Sequence, residues 1–136
     1  MTEAVTDTSV VFKWFSHEQE ASVNAAEDLL EDHLTGAREL IAPATLPVEL
    51  ANALRYSPMQ LATVVEITSE FDLAHIGLFS CTSARLSSAV GLAFEHGITV
   101  YDALFLTLAI ERKCPLLTAD RKAFGNLTSL AEIRIL

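Results

Sequence analysis

Short apolar runs alternate with helix-length stretches along the chain, and this alternation constrains the fold more than any other feature. Ala4-Val5-Thr6 comes first and leads into a helical turn at Val10-Val11-Phe12. Leu40-Ile41-Ala42, closed by Pro43, is the second run, and Ile76-Gly77-Leu78-Phe79 is a weaker third. Pro115-Leu116-Leu117-Thr118 and Ile133-Arg134-Ile135-Leu136 complete the set. Strands separated by helices read as βα units, so the expected fold is α/β. It has three layers (α/β/α) around a central, mostly parallel sheet of four to five short strands.

The intervening stretches carry helical signals. From His17 to about Thr35, Ala21, Ala25, Leu29 and Leu30 share one face, and Gly36 follows as a C-terminal cap. Thr45-Leu46-Pro47 opens a helix with proline in its first turn and a stripe of Leu46, Leu50, Ala53 and Leu54. Ser57-Pro58 ends it and starts another helix reaching about Phe71. Between Thr82 and Glu95 the apolar stripe is Leu86, Ala89, Val90, Ala93 and Phe94, stopped by His96-Gly97. Thr99 to Lys113 is apolar on all sides and predicts a buried central helix, and Arg121 to Phe124 predicts a short one.

A chain of 136 residues predicts one domain, 1–136. With 51% hydrophobic and 20% charged residues it has enough apolar surface to offset the entropy of ordering. The formal net charge of −9 argues against holding nucleic acid or anionic membrane by bulk positive charge. Cys81 and Cys114 form no close pair, which fits a reducing compartment. Met1 to Thr6 lacks the pattern of a secretory leader, and no charge-free apolar run approaches the ~18 residues of a membrane span. The expectation is an acidic, cytoplasmic domain with no membrane partner.

In a parallel α/β sheet, ligands sit at the carboxyl ends of the strands. Asp7 follows the first strand, Asp120 follows Leu116-Leu117-Thr118, Asp102 opens the buried helix, and Glu49 lies in the first turns of the helix after the second strand. Singly, each has an ordinary explanation. Asp7 and Asp120 are placed to cap helices, Thr99-x-x-Asp102 fits a capping box, and Glu49 suits a positive helix end. Together they imply more, because four acids at four junctions point to one sheet edge. Like charges ~4 Å apart repel by roughly 4 kcal/mol at an effective dielectric near 20. Protonation or bound cations relieve that repulsion, and hard divalent ions with oxygen ligands suit it.

Asp7-Thr8-Ser9-Val10, Pro47-Val48-Glu49-Leu50-Ala51-Asn52-Ala53-Leu54, Val100-Tyr101-Asp102-Ala103-Leu104 and Leu116-Leu117-Thr118-Ala119-Asp120 resemble the four signature segments of PIN-domain proteins, in order and over essentially the whole chain. The chain looks most like the VapC-type toxins of toxin–antitoxin systems. That resemblance implies a Mg²⁺- or Mn²⁺-dependent endoribonuclease whose catalytic and metal-binding acids are Asp7, Glu49, Asp102 and Asp120. It further implies in-line attack of an activated water on a phosphodiester, leaving a 5′-phosphate and a 3′-hydroxyl. Ser9, Asn52 and Thr118 match supporting positions around the acids, and local backbone capping accounts for them equally well. Asn52, three residues after Glu49, shares its helix face. His17, His33, His75 and His96 show no metal-ligand spacing and read as structural or surface residues.

Glu18, Glu20, Glu27, Asp28, Glu31 and Asp32 crowd one helix without a lysine or arginine. Such a run is ordinarily a solvated face. The resemblance implies instead a docking surface for a cognate VapB-like antitoxin, with Leu29 and Leu30 lining a groove, and it also implies a homodimer. Lys13, Arg121 and Lys122 are candidates to contact RNA phosphates, whereas Arg112 and Lys113 read as solubilising charges. Two alternatives belong to other classes: a catalytically silent PIN-fold interaction module, and a Mg²⁺-binding phosphoacceptor receiver domain. A nuclease directed at DNA is a third, permitted by the same metal chemistry.

Overall fold

The structure, a computed structural model, describes residues 2–16 and 22–136. His17, Glu18, Glu20 and Ala21 therefore lie outside the described residues. The element order is β1 (Thr2–Thr6), α1 (Thr8–Phe15), α2 (Val23–Thr35), β2 (Arg38–Pro43), α3 (Leu46–Arg55), α4 (Leu61–Glu70), a 3₁₀ turn (Phe71–Ala74), β3 (Gly77–Phe79), α5 (Ser83–His96), α6 (Val100–Arg112), β4 (Leu116–Thr118), α7 (Arg121–Phe124) and β5 (Ile133–Ile135).

All five strands are parallel, in the order β3-β2-β1-β4-β5. β1 sits at the centre, with Val5 in register with Ile41 of β2 on one side and with Leu116 of β4 on the other. The chain thus winds outward from β1 in one direction through β2 and β3, then crosses over to β4 and β5. That reversal puts a crevice at the carboxyl ends of β1 and β4, where open α/β sheets bind ligands. The order also sets aside the receiver-domain alternative, whose doubly wound sheet places its first strand between the second and third.

Alternating side chains cover both faces of the sheet. Val5, Ile41 and Leu116 join the larger core with Phe105, Leu106, Leu108 and Ala109 of α6. Ala4, Leu40 and Leu117 form a second cluster against Trp14 of α1 and Leu29 of α2. Trp14 Nε1 donates to the Ala26 carbonyl at 2.8 Å and ties α1 to α2. Burial on both faces explains why β1, β2 and β4 end in continuous apolar runs, whereas the edge strand β5 alternates around the exposed Arg134.

Three helix readings change in detail. Ser57-Pro58 does end α3, but the next helix begins at Leu61 and closes in a 3₁₀ turn. On α5 the buried positions are Ala89 and Ala93, which let α6 pack closely, while Leu86, Val90 and Phe94 stay exposed. α6 is buried from Ala103 to Ala109, but Tyr101 and Ile110 at its ends reach solvent. Gly36 caps α2 with φ +86°, a left-handed conformation that glycine adopts without a Cβ clash. Among the described residues no single helix is long and apolar enough to cross a membrane; α5 and α6 meet that test only as a pair bent by 114°.

Candidate active site

The topology delivers acids to one edge. Asp7 leaves β1 and Asp120 leaves β4, adjacent strands at the crossover. α6 precedes β4 and runs back along the sheet, so its first turn, which holds Asp102, lies at the edge where β4 ends. Glu49 stands in the first turn of α3, just past the end of β2.

Asp7 is buried and precedes α1, yet its side chain does not cap that helix. The cap bonds run to its backbone carbonyl, which accepts from Val10 N–H at 3.1 Å. The carboxylate is left for other partners. Ser9 Oγ donates to Asp7 Oδ2 at 2.7 Å, and Thr118 Oγ1 donates to the same oxygen at 2.9 Å. The two hydroxyls accept in turn from backbone: Ala119 N–H to Ser9 Oγ at 2.9 Å, and Asp120 N–H to Thr118 Oγ1 at 3.0 Å. Ser9 and Thr118 thus fasten the β1 and β4 ends together around one carboxylate.

The other acids show mixed duties. Asp120 does cap a helix, its Oδ1 accepting from Ala123 N–H at 3.0 Å. Thr99 Oγ1 accepts from Asp102 N–H at 3.1 Å, the threonine half of the capping box, and the Thr99 hydroxyl also favours the ionised Asp102 carboxylate. Glu49 Oε2 accepts from Thr45 Oγ1 at 3.0 Å. Asn52, which the spacing puts on the helix face of Glu49, is exposed, and the described bond to Glu49 comes from Thr45. The signal for Thr45 is present, since a hydroxyl four residues before an acid shares its helix face.

Electrostatics joins the acids into one neighbourhood. Burial raises the Asp7 carboxyl above its usual range, outweighing the bonds from Ser9 and Thr118. Burial pushes Glu49 up to about 7, with the charges of Asp7 and Asp102 adding to it and Thr45 opposing it. Asp102 rises to about 6, through burial first, then the charge of Asp7, against an opposing hydrogen bond from Thr99 and with a smaller contribution from Asp120. Hydrogen bonds that favour the ionised forms are thus outweighed by desolvation and mutual repulsion.

Among the described residues, no three or more His, Cys, Asp or Glu side chains are placed to hold a metal ion as they stand. The chemistry of the donor set nevertheless fits a hard cation: every candidate is a carboxylate, and the charges raise one another's proton affinity. Mg²⁺ takes only one or two protein carboxylates and completes its shell with water and substrate phosphate, so a closed cage is not required.

The candidate cations differ in setting. Lys13 is buried beside the site, while Arg121 and Lys122 are exposed on α7. Arg112 is taken up by Glu3, with Nη2 donating to Oε2 at 2.8 Å. His33 is structural: its Nδ1 accepts from Leu40 N–H at 3.0 Å. A pocket of about 380 Å³ beside Asp120 and Ser9 opens between α1 and α3. A larger cavity of about 530 Å³ lies between α5 and α6, and none of the four acids lines it.

Fold and site together place a set of carboxylates at one edge of a parallel sheet, and comparison with known proteins supplies the family. A profile of the PIN domain matches residues 4–128, and the chain belongs to the PIN domain family. Solved structures share its fold. VapBC2 from Rickettsia felis, bound to a DNA fragment from its promoter, aligns with TM-score 0.69 at 14% identity over 99% of both chains. A toxin–antitoxin complex from Klebsiella pneumoniae aligns with TM-score 0.67 at 19% identity, over 96% of this chain and 95% of that one. VapBC-5 from Mycobacterium tuberculosis, of the VapBC family of toxin–antitoxin systems, aligns with TM-score 0.60 at 20% identity, over 100% and 98%. Comparison with curated protein sequences finds no match.

Proposed function

We propose that this PIN domain is a VapC-type toxin: a cytoplasmic, Mg²⁺- or Mn²⁺-dependent endoribonuclease neutralised by a cognate VapB-like antitoxin. The observation that carries the reading is the electrostatic coupling of Glu49 and Asp102 to Asp7, and of Asp102 to Asp120, at the crossover edge of the sheet. An enzyme of this kind needs a place where anions gather, and a chain of net charge −9 has little other means of approaching a phosphodiester.

Asp7, Glu49, Asp102 and Asp120 are the residues that would hold the metal. When bound, it would lower the pKa of a water nucleophile and draw charge from the phosphoryl oxygens. The protein's own part is orientation. Ser9 and Thr118 fix one oxygen of Asp7, Thr45 turns Glu49, and Thr99 anchors the first turn of α6 under Asp102. Without a cation, Glu49 and Asp102 hold protons to higher pH than ordinary acids, and a cation would displace those protons.

The partners follow from the same reading. Glu27, Asp28, Glu31 and Asp32 on α2 form an acidic surface for a basic antitoxin segment. The fold's likeness to chains in toxin–antitoxin complexes supports such a partner. A homodimer would join the RNA contacts of two copies, Arg121 and Lys122 among them.

The test is to incubate the purified, antitoxin-free chain with total cellular RNA in Mg²⁺ or Mn²⁺ and sequence the new ends. Discrete 5′-phosphate ends that vanish with EDTA and in Asp7→Asn support the reading. The silent interaction module is favoured by one observation, the lack of a ready three-ligand group among the described residues. It predicts no new ends in either metal.

A further inference from the structure

The outer side of α5 is unusual for so acidic a chain. Residues 86–94 carry no charge, and Arg85 just before them is paired with Glu111 at 3.0 Å. Of the helix only Ala89 and Ala93 are buried. Leu86, Val90 and Phe94 follow one another at four-residue spacing and form an apolar ridge on its surface, where Phe94 is 87% exposed. Beside the ridge lies the cavity of about 530 Å³ between α5 and α6, walled in part by Ser87, Gly91 and Ile110. Gly91 and Phe94 are three residues apart, so ridge and cavity wall adjoin. A Cβ added at Gly91 would meet nothing within 4 Å. Glycine inside a helix costs stability relative to alanine, and no neighbour among the described residues requires it here.

We propose that this face of α5 is where two copies of the chain join, about a two-fold axis near Val90 and Gly91. The proposal rests on the homodimer in the reading above and supplies its surface. Charge selects the occupant. Two chains of net charge −9 repel, and they can meet closely only where neither presents an acid. A basic partner would gain more on the acidic α2, which packs on the opposite face of the sheet from α6 and its neighbour α5. Shape also fits a second copy. In a two-fold interface one patch serves both chains, so each contact occurs twice with the roles exchanged. Phe94 and Ser87 are equally far from the midpoint of residues 90 and 91. With α5 antiparallel to its mate, Phe94 of one copy therefore lies opposite the partner's Ser87. The exposed ring enters the cavity beside the partner's Gly91, where the lack of a side chain makes room. An aromatic anchor seated in a pocket is the kind of contact that carries binding energy at an interface.

Sedimentation equilibrium of the antitoxin-free chain reads the association. The expected result is a dimer whose dissociation constant rises at least about 30-fold in Phe94→Glu and in Gly91→Leu. Both positions are open in the single chain, so both variants should keep the folded circular dichroism spectrum. Leu73→Ser, at an exposed leucine away from this face, should leave the association unchanged. A residue beside a two-fold axis meets its own copy, so Val90→Cys should cross-link two chains on mild oxidation. The unmodified chain, with Cys81 and Cys114, gives the background. A dimer that neither variant weakens, or a Val90→Cys chain that cross-links no faster than the background, overturns this surface and leaves the homodimer standing. A chain that stays monomeric overturns both. RNA cleavage is read separately, so a chain that cuts as a monomer keeps the ribonuclease reading.

Discussion

Thr118 Oγ1 donates to Asp7 Oδ2 at 2.9 Å across 111 positions of sequence, and the same hydroxyl accepts from Asp120 N–H at 3.0 Å. One buried side chain thus sets the position of one acid and the backbone of another, and welds β1 to β4 at the crossover. Thr118→Val keeps the shape and removes both bonds. It leaves Asp120 N–H without its acceptor and is expected to cost about 1–3 kcal/mol in urea unfolding. Thr118→Ser should recover most of that loss, because the hydroxyl returns.

The acids are expected to report on one another. Asp7 raises both Glu49 and Asp102, so Asp7→Asn should move the Glu49 midpoint below about 7 and the Asp102 midpoint below about 6. Carbon-detected NMR titration of the side-chain carboxyls reads both values. Midpoints unchanged in Asp7→Asn would mean that the charges do not share a neighbourhood.

Stability should fall as pH rises in the absence of divalent metal. Asp7, Glu49 and Asp102 all have folded pKa values raised above their unfolded ones, so the folded state binds more protons than the unfolded chain. Their contribution is fully present below about pH 4 and is lost progressively as pH rises through about 6, where Asp102 is half ionised, and about 7, where Glu49 is half ionised. Discounted for partial exposure, the loss is on the order of 2 kcal/mol. Added Mn²⁺ should restore stability at pH 8 and have little effect at pH 5, as followed by thermal unfolding. Other carboxylates contribute to the absolute curve, so the difference from Asp7→Asn isolates the site.

Trp14 locks α2 onto α1 through its bond to the Ala26 carbonyl. Trp14→Phe retains most of the apolar contact and leaves that carbonyl without the indole donor. The expected loss is about 1 kcal/mol in denaturant unfolding. If α2 carries the antitoxin surface, affinity for the antitoxin should fall as well, with little change in RNA cleavage.

Much of the fold was legible because the central strands are short and buried on both faces, which leaves continuous apolar runs such as Leu40-Ile41-Ala42. Strand order was not, since pairing Val5 with Leu116 is a long-range event that no local pattern records. On α5, periodicity found Ala89 and Ala93 but also drew in Leu86, Val90 and Phe94. The small residues permit close approach of α6, and this leaves their larger neighbours outside. At the site, acids following strands were legible from position alone. The burial of Lys13 was not, because it depends on packing between α1 and its neighbours.

The most direct measurement is cleavage of a defined RNA, identified from the end sequencing, by the antitoxin-free chain in Mn²⁺, alongside Asp7→Asn, Glu49→Gln, Asp102→Asn and Asp120→Asn. The prediction is metal-dependent cleavage by the unmodified chain and a loss of more than about 100-fold in each variant that remains folded. Absence of cleavage by the unmodified chain, or cleavage that persists in EDTA and in all four variants, would contradict it.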